Sequence, residues 1–240
     1  MSGYYKSGPG RASRVCELFD RIAPRYDLVN DVQSFGFHRV WKRRLLVSLK
    51  LCSRDRFLDL CCGSGDLALV GSKSVRQVVG LDFSQPMLDV AAARKGAEKA
   101  GNKVTWIRGN AMELPFADDS FDAVSIAYGL RNLASFNEGL AEIHRVLRPS
   151  GRIAILEFGI PQNAVWKSVW YVYLNCVVPG FGALFFGDRK AYSYILESLN
   201  HYPAQKGVLE ALHQLGFQNI NLVNYFGGMM SLHTAVKASS

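Results

Sequence analysis

The sequence predicts an α/β fold, a mainly parallel sheet with helices on both faces, preceded by a helical cap and interrupted by a hydrophobic insertion. Three observations predict it. Between residues 56 and 159, short apolar runs alternate with helical stretches, the pattern of strands joined by crossover helices. A glycine turn, DLCCGSGD at residues 59–66, separates a strand-like run from a helix-like one. The 240 residues are 49% hydrophobic and 20% charged, which suits one domain with an embedded cap and excludes disordered, collagenous and coiled-coil chains.

Residues 1–10 lack the apolar core of a signal peptide and read as a disordered tail before a domain over 11–240. The cap covers 11–51. Residues 14–22 place Val15, Leu18, Phe19 and Ile22 at helical spacing and stop before Pro24. A second helix over about 37–51 follows Gly36 and sets Trp41, Leu45 and Leu49 against Arg39, Lys42, Arg43 and Arg44. That basic face suits solvent and anionic lipid headgroups alike.

The rhythm then changes. RFLDLC reads as a strand, CGSGD as a tight turn and LALVGSK as a short helix. QVVGLD is the next strand, followed by a helix from Ser84, which serves as its N-cap. NKVTWIRGN and FDAVSIAYG are two more strands, and the helix NEGLAEIHRVLR leads through PSG into the strand RIAILEFG. Residues 160–202 are aromatic-rich and irregular and read as an insertion. A helix over 207–215 and strands near 218–225 and 230–236 close the chain. The uncharged run between Lys167 and Asp188 approaches bilayer-spanning length. Asn175, Pro179, Gly180 and Gly182 interrupt it, so it reads as a membrane-leaning lid or a buried helix pair.

A net charge of +8 favours anionic partners without choosing among nucleic acid, lipid and phosphorylated substrates. No N-P-P-Y-like or P-C motif of nucleic-acid methylation is present, and the basic residues lack interleaved aromatics, so no nucleic-acid partner is expected. Five scattered cysteines show no zinc-site spacing; they suit a reducing compartment, and no metal is expected.

Gly63, Gly65 and Ala68 satisfy the G-x-G-x-x-G/A dinucleotide fingerprint, and Asp82 ends the next strand about 20 residues on, where a carboxylate takes both ribose hydroxyls. NAD and S-adenosylmethionine fit these features equally. Asp59 separates them. A carboxylate just before the turn repels a pyrophosphate and welcomes an ammonium and a sulfonium. Asn110 and Ala111, after the third strand, are placed to edge an adenine. In this order on successive strands, the residues point to S-adenosylmethionine on a Rossmann-like domain.

Three further segments carry a family resemblance: YDLVNDVQSFGFHRVW at 26–41, AYGLRN at 127–132 and RVLRPSGRIAILEFG at 145–159. With them the chain, from about residue 16 to 236, resembles a class I methyltransferase of the UbiE/MenG family of quinone-biosynthesis C-methyltransferases. It departs from the family pattern at Gln33, Ala127, Arg148, Ser150 and Gly159. CCGSGD resembles the cyanobacterial and plastid naphthoquinone branch, whereas YLNCVVPGFG with AYSYILES resembles bacterial menaquinone members.

The resemblance implies a seven-stranded sheet and methyl transfer from S-adenosylmethionine to a ring carbon of a prenylated or phytylated hydroquinone in menaquinone or phylloquinone biosynthesis. The equivalent methylation of a polyprenyl benzoquinol is an alternative. A non-catalytic scaffold or lipid-binding subunit of a quinone-synthesis complex is an alternative of another class. For the cofactor, the resemblance implies that Asp59 holds the methionine ammonium end, wrapped by Gly63, Ser64 and Gly65. Asp82 takes the ribose, Phe83 and Met87 flank the adenosine, Asn110 and Ala111 flank the adenine, and Ala127 lines the methyl-donor end. Arg131 and Asn132 sit past the fourth strand. An arginine stays protonated, so Arg131 is expected to stabilise a quinolate oxygen rather than act as a base.

Tyr26, Asn30 and His38 are expected to face the ring, while Asp27 and Asp31 cap or turn the helix start. The cap and the insertion at 160–202, with Trp166, Trp170, Tyr171, Tyr173, Phe181, Phe185 and Phe186, are expected to form a greasy mouth at a membrane surface. Peripheral membrane association follows, at the cytoplasmic side in a bacterium or in a plastid, with a homodimer compatible with the sequence.

Overall fold

The computed structural model describes residues 11–97, 103–180, 197–199 and 202–239. The expected tail at 1–10 and the aromatics Phe181, Phe185 and Phe186 lie outside the described residues.

Seven strands form one sheet: β1 (Arg56–Leu60), β2 (Gln77–Asp82), β3 (Val104–Arg108), β4 (Phe121–Ala127), β5 (Leu147–Phe158), β6 (Phe217–Tyr225) and β7 (Met230–Lys237). Their spatial order is β3-β2-β1-β4-β5-β7-β6, with β7 antiparallel to both neighbours and the other pairings parallel. β1 and β4 are buried along nearly their whole length, which is why they read as continuous apolar runs. β5 begins at Leu147, earlier than the expected RIAILEFG, because Leu147 pairs with Phe121 before a register shift.

Alternation along the strands builds two core layers. Leu58, Leu60, Val124, Ile126 and Ile155 face one way, against α6 (Phe136–Val146) and α8 (Ala204–Gln214). Phe57, Ala123, Ala154 and Leu156 face the other way, against α3 (Phe37–Ser48) and α4 (Asp66–Gly71). α5 (Gln85–Ala97) follows β2, and the Ser84 hydroxyl accepts from Met87 N as its expected cap.

The cap holds one helix more than the sequence pattern separates. α1 (Arg11–Ile22) passes through a 3-10 turn at Ala23–Arg25 into α2 (Tyr26–Ser34). Phe35 (φ +50°) and Gly36 (φ +76°) then reverse the chain into α3 in the left-handed region. The start of the insertion is also more regular than expected. Asn163 accepts from Val165 N and Trp166 N and so caps α7 (Ala164–Val172), which runs into a π-turn at Tyr173–Val177.

From β1 the chain runs to β2 and β3 on one side of β1 and then crosses to β4 on the other. In open parallel sheets such a switch point leaves a cleft beyond the strand carboxyl ends, where ligands bind.

Candidate active site

Two cavities occupy that cleft. The first, about 140 Å³, lies over the ends of β1 to β4; the second, about 290 Å³, lies between the cap, α7 and the ends of β4 and β5. They share two lining residues, Tyr26 and Tyr128.

The first cavity takes shape around Asp82. Its two carboxylate oxygens accept from Gly63 N at 2.7 Å and Ser84 N at 2.9 Å, which ties the glycine turn to the end of β2. An ionised carboxyl has about four lone-pair sites, so Asp82 keeps capacity toward the cavity it lines. Burial raises its pKa above the ordinary carboxylate value, against the backbone donors that lower it. Phe83, Met87, Asn110 and Ala111 line the same cavity, as do Gly63, Ala127 and Asn132. Gly63 is at φ +53°, and a Cβ there would lie 3.4 Å from the Tyr26 ring, so cap and turn close on each other.

Three cofactor-site residues are placed differently from expectation. Asp59 is 1% exposed and lines neither cavity: Oδ1 accepts from Ser125 Oγ at 2.7 Å and Oδ2 from Ala68 N at 3.0 Å. Strand parity is the reason, since Asp59 shares a face with Phe57 and lies under α4. Ser64 is buried and donates to Asp27 Oδ1 at 2.6 Å. Gly65, at φ +82°, is a packing site; a Cβ there would lie 2.4 Å from the Trp106 ring. These residues hold the turn, while Gly63 and Asp82 present it to the cavity.

The turn does not suit a pyrophosphate. Ala68 N in the first turn of α4 is taken by Asp59, and Gly63 N by Asp82. Asp66 adds a carboxylate at the start of the same helix, its pKa held at about 2 by Lys42 and Arg94 despite burial. A positively charged cofactor fits what an anion would not. Burial raises the Cys61 and Cys62 pKa values well above the ordinary thiol value, so neither supplies a thiolate.

The second cavity is walled by aromatics. Tyr128, Phe158, Trp170 and Tyr173 form a continuous row with successive ring centroids 5.7, 5.8 and 5.5 Å apart. Trp170 is thereby buried rather than placed at a lipid interface, and Tyr173 donates to the Gln33 carbonyl across the cavity. Asn30 lines this wall, and its Nδ2 and Gln33 Nε2 are buried without partners among the described residues.

Arg131 lines the second cavity, not the first, and is 4% exposed. Nη1 lies 2.6 Å from Glu157 Oε1 and 2.7 Å from Tyr128 O, and the guanidinium covers the Phe158 ring at 4.7 Å. The sequence reading missed Glu157, although a lone acid within the apolar run IAILEF was the available signal. Tyr128 was likewise quoted within AYGLRN without a role.

His38 lines neither cavity. It is 2% exposed, and Nε2 lies 2.8 Å from Asp31 Oδ1. Burial lowers its pKa, partly offset by Asp31. Asp31, also paired with Arg39, joins α2 to α3 instead of capping, and its pKa is held well below the ordinary range. Asp27 bonds Ser64 and Arg94, fastening α2 to the glycine turn. Of the expected basic face, Arg39 and Lys42 are spent on Asp31 and Asp66, and Arg44 lies over Tyr225.

A seven-stranded sheet of this order, with a carboxylate at the end of β2 and the Gly63 and Ala68 amides already taken by carboxylates, suits an S-adenosylmethionine-dependent methyltransferase. Solved structures share the fold: an S-adenosylmethionine-dependent methyltransferase from Aquifex aeolicus (TM-score 0.59, 15% identity) covers 82% of this chain and 89% of its own. Phosphoethanolamine N-methyltransferase 2 of Haemonchus contortus, in complex with S-adenosylmethionine, has a TM-score of 0.63 at 18% identity, covering 83% of this chain and 52% of its own. The chain belongs to the ubiE/COQ5 methyltransferase family, whose model matches residues 9–237. It is 40% identical over 223 residues to the demethylmenaquinone methyltransferase of Lactiplantibacillus plantarum, covering 92% of this chain and 94% of that one. To its counterpart in Alkalihalophilus pseudofirmus it is 35% identical over 233 residues, covering 96% and 98%.

Proposed function

We propose that this methyltransferase moves a methyl group from S-adenosylmethionine to a ring carbon of a prenylated 1,4-naphthohydroquinone, as the names of its relatives suggest. The observation that carries the reading is the pair of cavities that meet across Tyr26 and Tyr128: one suited to a cationic nucleoside, the other walled by stacked aromatics with few polar groups.

When bound, S-adenosylmethionine supplies an electrophilic methyl group on a sulfonium. Asp82 would hold the ribose hydroxyls, Phe83 and Met87 the adenosine, and Asn110 and Ala111 the adenine. Gly63 would present the turn to the methionine portion, with Asp59, Ser64 and Gly65 fixing the turn from behind. Ala127 and Asn132 would line the methyl-donor end. In the second cavity, the row from Tyr128 to Tyr173 takes the flat ring, and Arg131 directs N–H groups at its oxygen. Glu157 offsets the arginine charge, so Arg131 acts by positioned hydrogen bonds as much as by net charge. The chain's contribution is alignment of donor and acceptor and exclusion of water.

The acceptor cavity opens among exposed Phe35, Phe37, Val169 and Phe226, which supports peripheral contact with the membrane that holds a long-tailed substrate. No helix among the described residues is long and apolar enough to cross a membrane.

Calorimetric titration with S-adenosylmethionine and NADH, with Asp82→Ala as the control, tests the cofactor. Binding of S-adenosylmethionine alone is expected, weakened in the variant on the order of 10- to 100-fold, the worth of charge-assisted hydrogen bonds. Reduced demethylmenaquinone and a demethylated benzoquinol are then assayed side by side. Faster turnover of the benzoquinol would reassign the substrate, and binding of NADH would sink the reading.

A further inference from the structure

We propose, on the quinol reading above, that Asp27 is a positioning residue for methyl transfer: its bond to Ser64 holds one wall of the acceptor cavity in register with the turn that presents the cofactor. The faces of α2 divide the work. Tyr26, Asn30, Gln33 and Ser34, at helical spacing, line the second cavity, and Tyr26 lines the first as well. Asp27 follows Tyr26, about 100° further round the helix, and lines neither cavity. It reaches the glycine turn instead.

Ser64 Oγ donates to Asp27 Oδ1 at 2.6 Å, the length of a charge-assisted O–H···O⁻ bond. Ser64 is buried, and its neighbours Gly63 (φ +53°) and Gly65 (φ +82°) are both in the left-handed region, so the bond grips the turn at its middle. Arg94 of α5 donates to Asp27 Oδ2 and to the Ser64 carbonyl, each at 3.1 Å, and pairs with Asp66 at 2.8 Å. The Asp27 and Arg94 side chains are each more than a third exposed, so their ion pair adds little, and the buried hydroxyl is the firmer hold. On its far side the turn is tied to β2 through Gly63 N and Asp82. Asp82, Gly63, Ser64, Asp27 and Tyr26 therefore form one continuous connection from the floor of the first cavity to the seam between the two.

The reaction depends on that connection. The quinol gives its O–H proton to solvent, and the ring carbon–methyl bond forms as the sulfur–methyl bond breaks with its electron pair passing to sulfur. The ring C–H proton then passes through solvent to the oxygen as aromaticity returns. Such a transfer needs the reacting atoms about 3–3.5 Å apart and in line, and a misplacement of about 1 Å costs on the order of 100-fold in rate. The methionine portion lies along the turn and the ring lies against α2, so the register of α2 on the turn is the alignment of donor with acceptor. Asp27 sets it without touching either ligand. By linkage, a ligand that fixes the turn also fixes the wall, and the two cavities are coupled.

Asp27→Ala removes the acceptor of the Ser64 hydroxyl, whereas Asp27→Asn keeps an oxygen for it. The alanine variant should lower kcat on reduced demethylmenaquinone on the order of 10- to 100-fold, with S-adenosylmethionine affinity within about threefold of wild type. The asparagine variant should stay within about threefold of wild type in both. Ser64→Ala breaks the same bond from the side of the turn and carries the test if Asp27→Ala is unstable; the double variant should be no slower than either single one. A readout without turnover is the binding of 1-naphthol, followed by its fluorescence. Saturating S-adenosylhomocysteine should tighten it about fivefold or more in wild type and Asp27→Asn, and leave it unchanged in Asp27→Ala. Wild-type kcat in Asp27→Ala, an Asp27→Asn as slow as the alanine variant, losses that multiply in the double variant, or equal tightening in wild type and Asp27→Ala each overturn the positioning role alone. Wild type that binds S-adenosylmethionine yet methylates no quinol overturns the quinol reading and the positioning role together.

Discussion

Asp59 and Asp82 are two carboxylates one strand apart, and burial gives them different tasks. Asp82 reaches the cavity at the end of β2, while Asp59 sits fully enclosed under α4 with its pKa pushed up to about 7 by desolvation. A pKa raised in the folded state means that the fold holds a proton the unfolded chain has released between the ordinary carboxylate range and about pH 7. The associated stability is fully present below that range and is lost as pH rises through about 7. A sulfonium and an ammonium nearby favour the ionised form, so binding of S-adenosylmethionine at pH 7 should expel protons. Titration in two buffers of different ionisation enthalpy measures the count. Asp59→Asn should reduce the protons released while leaving any contribution of Asp82; an unchanged count would show that Asp59 does not sense the cofactor. His233 runs the opposite way. Burial lowers its pKa to about 4, so as pH falls from about 6.5 toward 4 protonation favours unfolding, at up to about 1.4 kcal/mol per pH unit. His233→Gln should flatten the acid limb of a plot of Tm against pH.

At the scale of elements, the central strands and the glycine turn were legible because burial on both faces leaves a continuous apolar signature bounded by turn residues. α7 was not. Trp170 turns inward while Val165, Trp166, Val169 and Val172 remain exposed, so the helix is apolar nearly all round and shows no period. The site followed the same division. Asp82 ends β2, and Asn110 and Ala111 follow just past β3, where position alone predicts a ligand, and they line the cavity. Asp27 read as a local cap because its partner Ser64 lies 37 residues away, and only tertiary packing brings them together. Asp59 could have been placed from strand parity, since it alternates with Leu58 and Leu60 and therefore faces α4. α7 also carries a test of the acceptor wall. Asn163→Ala removes the side chain that takes two first-turn amides, at a cost of about 1 kcal/mol to the helix. The expected outcome is a raised KM for the quinol with S-adenosylmethionine affinity unchanged, because α7 lines only the second cavity. Equal weakening of both ligands would mean that the helix supports the whole fold rather than one wall.

Under the proposed function, the whole molecule would bring a water-exposed cofactor cleft to a substrate whose tail belongs in a bilayer. Its surface carries apolar side chains that would serve that. Phe35 (71% exposed) and Phe226 (48%) rim the acceptor cavity, and Val165 (72%) and Trp166 (47%) continue the apolar surface along α7. Exposed aromatic and aliphatic side chains of this kind suit the headgroup level, and a net charge of +8 would draw the chain to anionic lipid. The attraction is electrostatic at range and hydrophobic on contact, so the two parts separate experimentally. Raising the salt should weaken binding to anionic vesicles by screening the first part. Phe35→Ser with Trp166→Ser should weaken it by the second, at roughly 1.5 kcal/mol for each ring withdrawn from the interface, about tenfold in partitioning. The readout is co-sedimentation with vesicles, paired with turnover of two quinols. The double variant should lose activity on a long-tailed quinol embedded in vesicles and keep it on a short-tailed, water-soluble one, because both side chains lie on the exposed surface. Protein that stays free of anionic vesicles at low salt would remove the apolar rim from the mechanism and require the substrate to arrive by another carrier.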